Sequence, residues 1–313
     1  LEVARAVILM TATWAVIPWV PGWVESVTKL RNFLTFGRDV TGFNIVVFFS
    51  RNLDKILLGR FHGAGPVGLY VNAYKTLSLP VSQIQYPINS VALPSLSTLQ
   101  SDGDRFDGYF RKMVGFLTFL TMPIVLYVAL FADVAVRVVL GDQWLMAIPV
   151  LRALAIGSFF EPIGQAVGPA MVAVGKTKEY FRLGVYSSLV LIGGLVIGSY
   201  WGPLGMAIGR SSGIAVSVAI ALGYGLKYTA ARRSGVVAVT AQAGAIAIVS
   251  GGVIVLVRLI VGWEAPLPVL VLIGFAGVAL YFSLWWLNPA TRRTLRQYLR
   301  FVTRVIRPKK QTL

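Results

Sequence analysis

The feature that most constrains this chain is a succession of long apolar runs whose connecting loops alternate between basic and nearly neutral. The runs cover 3–20, 40–58, 76–99, 114–131, 147–174, 180–200, 204–226, 236–261 and 267–287. Most reach the roughly 20 residues an α-helix needs to cross a bilayer core. Lys29, Arg31 and Arg38 follow the first run; Arg105, Arg111 and Lys112 the third; Lys176, Lys178 and Arg182 the fifth; Lys227, Arg232 and Arg233 the seventh. The intervening loops hold Arg60 with His62, then Arg137, then no basic residue, then Arg258. Loops rich in Lys and Arg stay in the cytoplasm. The alternation therefore predicts about nine transmembrane helices with the C-terminal tail cytoplasmic, because a miscounted span would put two basic loops in succession. A count of eight, with 3–20 as a stub, is the alternative.

Charge supports the same solvent. Only 13% of residues are charged and 56% are hydrophobic, whereas soluble domains carry about 25% charge. The chain lacks the polar surface to cover a core in water. Its net charge of +17 would suit nucleic acid, but the basic residues sit between apolar runs and in the tail, where topology accounts for them. With no cysteine and one histidine, His62, disulfides and thiolate metal sites are excluded, and neither a metal nor a cofactor is expected. The chain opens at Leu1 directly into an apolar run without a signal-peptide cleavage pattern, which reads as the interior of a longer protein.

The tail carries Arg292, Arg293, Arg296, Arg300, Arg304, Arg307, Lys309 and Lys310, with Leu295, Leu299, Val302 and Ile306 spaced between the first of them. Over 291–306 this predicts a basic amphipathic helix suited to the anionic inner leaflet, or a solvated topogenic tail.

Charges within spans are costly and mark cavities or partners. The second run holds Arg51, Asp54 and Lys55, Lys75 opens the third, Arg152 and Glu161 lie in the fifth, and Arg210 in the seventh. Together they predict a cationic, water-filled cavity for an anionic substrate; the alternative is snorkelling to the interface. Gln83, Gln85, Asn89 and Gln165 are candidates to bond sugar hydroxyls in that cavity, or neighbouring helices. Pro80, Pro87 and Pro94 recur every seventh residue, and Pro123, Pro149, Pro162 and Pro169 follow in later spans, so bent helices are expected. The glycines Gly193-Gly194 with Gly198, Gly205 with Gly209, and Gly251-Gly252 predict close helix packing. Asp102-Gly103-Asp104 reads as a cap or turn, since no catalytic domain surrounds it. No nucleophile elbow, phosphate loop or HExxH occurs, so catalytic residues are not expected and the chain reads as a non-enzyme.

Asp54-Lys55-Ile56-Leu57-Leu58-Gly59-Arg60, Gly68-Leu69-Tyr70-Val71-Asn72-Ala73-Tyr74 and Pro94-Ser95-Leu96-Ser97 resemble the Wzx-type polysaccharide flippases, closest to their WzxC-like branch within the MOP (MATE-like) superfamily. Leu34-Thr35-Phe36-Gly37 and Gly141-Asp142-Gln143-Trp144 are similar to that family too. The resemblance implies an all-α integral membrane fold: a MATE-like second lobe plus two extra C-terminal helices, N-terminally truncated. Residues 1–37 would be the last helix of a mostly missing first lobe with a cytoplasmic linker, 38–226 the second six-helix lobe, 227–287 the two additional helices, and 288–313 the basic tail. It implies translocation of undecaprenyl-pyrophosphate-linked oligosaccharide across the bacterial inner membrane by alternating access. Membrane lipids and a polysaccharide polymerase are further partners it allows. The substrate-binding candidates are Arg51, Asp54, Lys55, Lys75, Gln83, Asn89, Arg152, Glu161 and Arg210, resting on charge and polarity inside spans. A MATE-like drug or metabolite antiporter, or a ligase or polymerase of envelope polysaccharide assembly, stays open as an alternative.

Overall fold

The computed structural model describes residues 2–16, 52–262, 265–287 and 289–306. The chain divides into two compact units, Leu1–Arg51 and Asn52–Leu313. In the first, α1 (Glu2–Val16) is an apolar helix whose Ile8, Leu9, Met10 and Trp14 are exposed. The second holds α2 (52–62), α3 (Ala64–Thr98), α4 (Gly103–Leu130), α5 (Ala132–Val139), α6 (Ala147–Ala173), α7 (Thr177–Ser199), α8 (Gly202–Ile220), α9 (Arg233–Val261), α10 (Leu267–Leu287) and α11 (Pro289–Ile306). Every regular element among the described residues is a helix.

Six described helices are long and apolar enough to cross a membrane: α4, α6, α7, α8 with its extension to Tyr228, α9 and α10. They correspond to the fourth to ninth apolar runs, and the chain is a multi-pass membrane protein. Of the first three runs, α1 is 15 residues long, the second lies largely outside the described residues, and the third belongs to α3. That helix begins well before the apolar run. Gly63, at φ 83°, separates it from α2, in a conformation that L side chains rarely adopt. The added turns bury Tyr70 and Ala73, so Lys75 is mid-helix rather than at an entrance.

Helix boundaries follow local chemistry. Asp102 caps α4, its carboxylate accepting from Arg105 N at 3.1 Å; the acidic triplet is a cap, as its position suggested. Pro149 falls in the first turn of α6, where a missing N–H costs nothing, so of the three prolines in that run only Pro162 and Pro169 lie inside the helix. In α3 the buried positions Leu77, Val81, Gln85, Ala92 and Leu96 form one stripe, and Pro80, Pro87 and Pro94 fall outside it.

Two apolar clusters organise the second unit. One joins α4, the later halves of α3 and α6, α9, α10 and α11. The other joins α2, the early halves of α3 and α6, and facing parts of α7 and α8. Small residues let the backbones approach: a Cβ on Gly194 would fall on the carbonyl oxygen of Gly209, and one on Gly198 on that of Gly205. Carbonyl contacts of this closeness are available only to glycine pairs. The amphipathic tail helix forms as expected, and its Leu295 and Tyr298 are buried. Tyr298 stands 6.0 Å from the Trp285 ring and 5.7 Å from Phe119. Part of the apolar face is thus engaged by α4 and α10.

Arg258, fully buried near the end of α9, donates to both oxygens of Asp133 in α5 at 2.8 and 3.2 Å, and to Leu130 O at 2.8 Å. Burial alone would raise the Asp133 carboxyl, but the Arg258 hydrogen bonds and charge outweigh it and hold it below the usual carboxylate range. A depressed carboxyl contributes stability that is complete above the unfolded value of about 4 and is lost as pH falls through the folded one. Thermal unfolding in detergent across that acid window should show a steeper loss for the native chain than for Asp133→Asn. Matching acid limbs would remove Asp133 from the account.

Candidate binding cavity

A cavity of about 330 Å³ opens between α3 and α6, where the two apolar clusters part. From α3 it is lined by Tyr74, Ser78, Ser82, Gln85, Tyr86 and Asn89, and from α6 by Ser158, Glu161 and Gln165, with Leu77 and Val81 between them. The spacing explains the lining. Residues 74, 78, 82, 85 and 89 recur at three or four positions, as do 158, 161 and 165, so each set occupies one helix face. Gln165 Nε2 donates to Glu161 at 3.1 Å, one turn away. Asn89 Oδ1 is buried and, among the described residues, has no hydrogen-bond partner. A buried acceptor without a donor is costly, and a hydroxyl or water in the cavity would satisfy it.

At the Tyr74 end stands a buried ion pair. Arg210 of α8 lies 3.8 Å from the Asp54 carboxylate of α2, with side chains only 15% and 7% exposed. Arg210 also donates to the Tyr74 hydroxyl at 3.2 Å and lies 4.7 Å from the centre of that ring. Arg210, Asp54 and Tyr74 therefore join three helices around one guanidinium, whose planar fork suits several acceptors at once.

The other charged candidates lie elsewhere. Lys55 is half-buried and donates to Asn52 Oδ1 at 2.8 Å. Lys75 and Gln83 are exposed and do not line the cavity. Arg152 approaches Asp133 at 4.0 Å, away from it. Arg51 lies outside the described residues. Among the described residues the cavity lining thus contains a carboxylate, amides, hydroxyls and two tyrosines, and no Lys or Arg. The expected gathering of cations is not what the fold brings together: Arg210 alone of the described cations adjoins the cavity, and its charge is matched by Asp54. Sequence reasoning missed Tyr74, Ser78, Ser82, Tyr86 and Ser158. Their helical spacing with Gln85 and Asn89 is a signal, but hydroxyls within apolar helices usually bond their own preceding turn. Among the described residues no group of His, Cys, Asp and Glu is placed to hold a metal.

Comparison with known proteins agrees with this architecture. Residues 1–149 match the family Polysacc_synt_3, described as "Polysaccharide biosynthesis protein". The chain is 28% identical over 170 residues to the teichuronic acid biosynthesis protein TuaB of Bacillus subtilis (strain 168), covering 54% of this chain and 35% of that one. It is 26% identical over 172 residues to the lipopolysaccharide biosynthesis protein WzxC of Escherichia coli (strain K12), covering 55% and 35%. The resemblance to the Wzx-type flippases holds. In fold, the chain is similar to a solved structure of the lipid II flippase MurJ in an inward closed conformation, with a TM-score of 0.67 and 17% identity, over 85% of this chain and 56% of that one. The matched region spans about a third of the length of these curated relatives.

Proposed function

We propose that this chain is part of a flippase that moves a lipid-linked oligosaccharide across the bacterial inner membrane by alternating access, for surface polysaccharide assembly. The carrying observation is the polar cavity between α3 and α6 in an α-helical fold like that of a lipid II flippase. Amides, hydroxyls, a carboxylate and aromatic rings are the groups that bond and stack on sugars, so the cavity serves the glycan end of the substrate. The charge of Arg210 is already matched by Asp54, so in this reading the undecaprenyl-pyrophosphate end meets residues beyond the described cavity lining. In this reading 38–226 forms the second lobe of the transporter, 227–287 the two additional helices, and the C-terminal tail is cytoplasmic. The exposed arginines of α11 meet the anionic inner leaflet, and a polysaccharide polymerase receives the product. No chemistry is performed on the substrate.

Complementation of a flippase-null strain with the complete protein tests this. Glu161→Gln and Asn89→Ala should each lower polymer export by about tenfold, the scale of one lost hydrogen bond to a charged or buried group, at unchanged membrane abundance. Lys75→Ala, outside the cavity, should export normally. Full export by both cavity variants would sink the assignment.

A further inference from the structure

A second concavity lies on the opposite face of α6. It is a groove of about 250 Å³ between α4, α6 and α9, floored by Leu126, Ala129, Ile156, Phe159, Phe160 and Ile248, with Arg152 at one end. It shares no residue with the polar cavity. Arg152, Ile156 and Phe159/Phe160 follow one another at helical spacing, so a guanidinium heads an apolar stripe about 12 Å long. Ile156 is 64% exposed and Phe160 40%, so the groove faces the surroundings of the helix bundle rather than its interior.

Arg152 is under-used for a residue of its donor capacity. Among the described residues, one of its five N–H donors makes a bond, a long one to Ala129 O at 3.4 Å. Its carboxylate neighbour, Asp133 at 4.0 Å, already receives Arg258 on both oxygens. The side chain is 47% exposed, so beyond its marginal approach to Asp133 much of the guanidinium faces outward. Asp133, Arg258, and the Arg137–Asp142 pair at 3.9 Å are the other charged groups the described elements place at this end. A half-exposed guanidinium above an apolar groove on a membrane-spanning helix is complementary to a phosphate on an acyl chain.

We propose that this groove binds an anionic phospholipid, its phosphate on Arg152 and one acyl chain along Ile156 and Phe160. The ligand is drawn from the bilayer and is distinct from the transported substrate. The binding tethers α4, α6 and α9 from outside.

The test uses the 313-residue chain, delipidated in a neutral detergent. Its thermal midpoint is measured with added phosphatidylglycerol, with phosphatidylethanolamine of the same acyl chains, and with inorganic phosphate alone. Phosphatidylglycerol should raise the midpoint and the other two should not match it. Arg152→Gln should erase that preference, with retained phosphatidylglycerol counted by native mass spectrometry falling about tenfold. Arg152→Lys should keep part of it, and Ile156→Trp, which fills the groove from its exposed side, should weaken retention with the guanidinium intact. Equal effects of the two lipids, an undiminished preference in Arg152→Gln, or a phosphate effect as large as the lipid's would each overturn the proposal.

Discussion

Replacing Arg210 with leucine is expected to destabilise the helical unit by about 3–5 kcal/mol, among the largest effects available to one substitution. The Asp54 carboxylate would remain 7% exposed with no cation within the pair, and the Tyr74 hydroxyl would lose its donor. Asp54→Leu should cost a similar amount for the mirror reason, since it leaves the guanidinium buried. The double variant should be less damaged than the sum of the two, because removing both charges removes the uncompensated one. Thermal unfolding of the four proteins in detergent closes this cycle. Additive losses would mean that the 3.8 Å approach carries no coupling, and that each residue acts through other neighbours.

The second large effect lies where α7 meets α8. Gly194→Val or Gly209→Val should prevent the two helices from closing, because the added carbon meets backbone carbonyl, which cannot rotate aside as a side chain can. The helices would have to separate along their length. The loss should exceed about 4 kcal/mol, the range reserved for overpacking and similar core faults, and should be visible as aggregated protein on gel filtration. Gly193 provides the contrast. A Cβ there meets nothing within 4 Å, so Gly193→Ala should be neutral, or stabilising by up to roughly 1 kcal/mol through helix propensity. If Gly193→Ala and Gly194→Val behave alike, the proposed crossing is wrong.

Several features of the fold were legible in the residues themselves. The apolar lengths of the fourth to ninth runs become helices that can span a membrane, because a buried backbone in lipid has no other partner than its own helix. Asp102 before a polar first turn reads as a cap and is one. The spacing of Leu295 and its arginines makes an amphipathic helix wherever it lies. Each of these depends on neighbours a few residues away.

The site was legible only in part, and the failures share a cause. Arg51, Asp54, Lys55, Lys75, Arg152 and Arg210 look alike along the chain, each a charge inside or beside an apolar run. Which are neutralised depends on residues far removed in sequence: Asp54 meets Arg210 across 156 positions, and Asp133 captures Arg258 across 125. Counting cations predicted a cationic cavity. Pairing them leaves a polar one, with Glu161 as the charged group among its described lining residues. The adjacent glycines Gly193 and Gly194 make the same point, one against a carbonyl and its neighbour against open space.

The sequence by itself therefore determined the solvent, the helical class, the apolar lengths and the alternation of basic loops. These follow from local hydropathy and from backbone hydrogen bonding that must be satisfied within each span. The tertiary structure decided which face of α3 and α6 holds the cavity, which charges cancel, and which glycines touch. Those outcomes are set by the mutual rotation and crossing of helices, where long-range packing selects one arrangement from many that local chemistry permits.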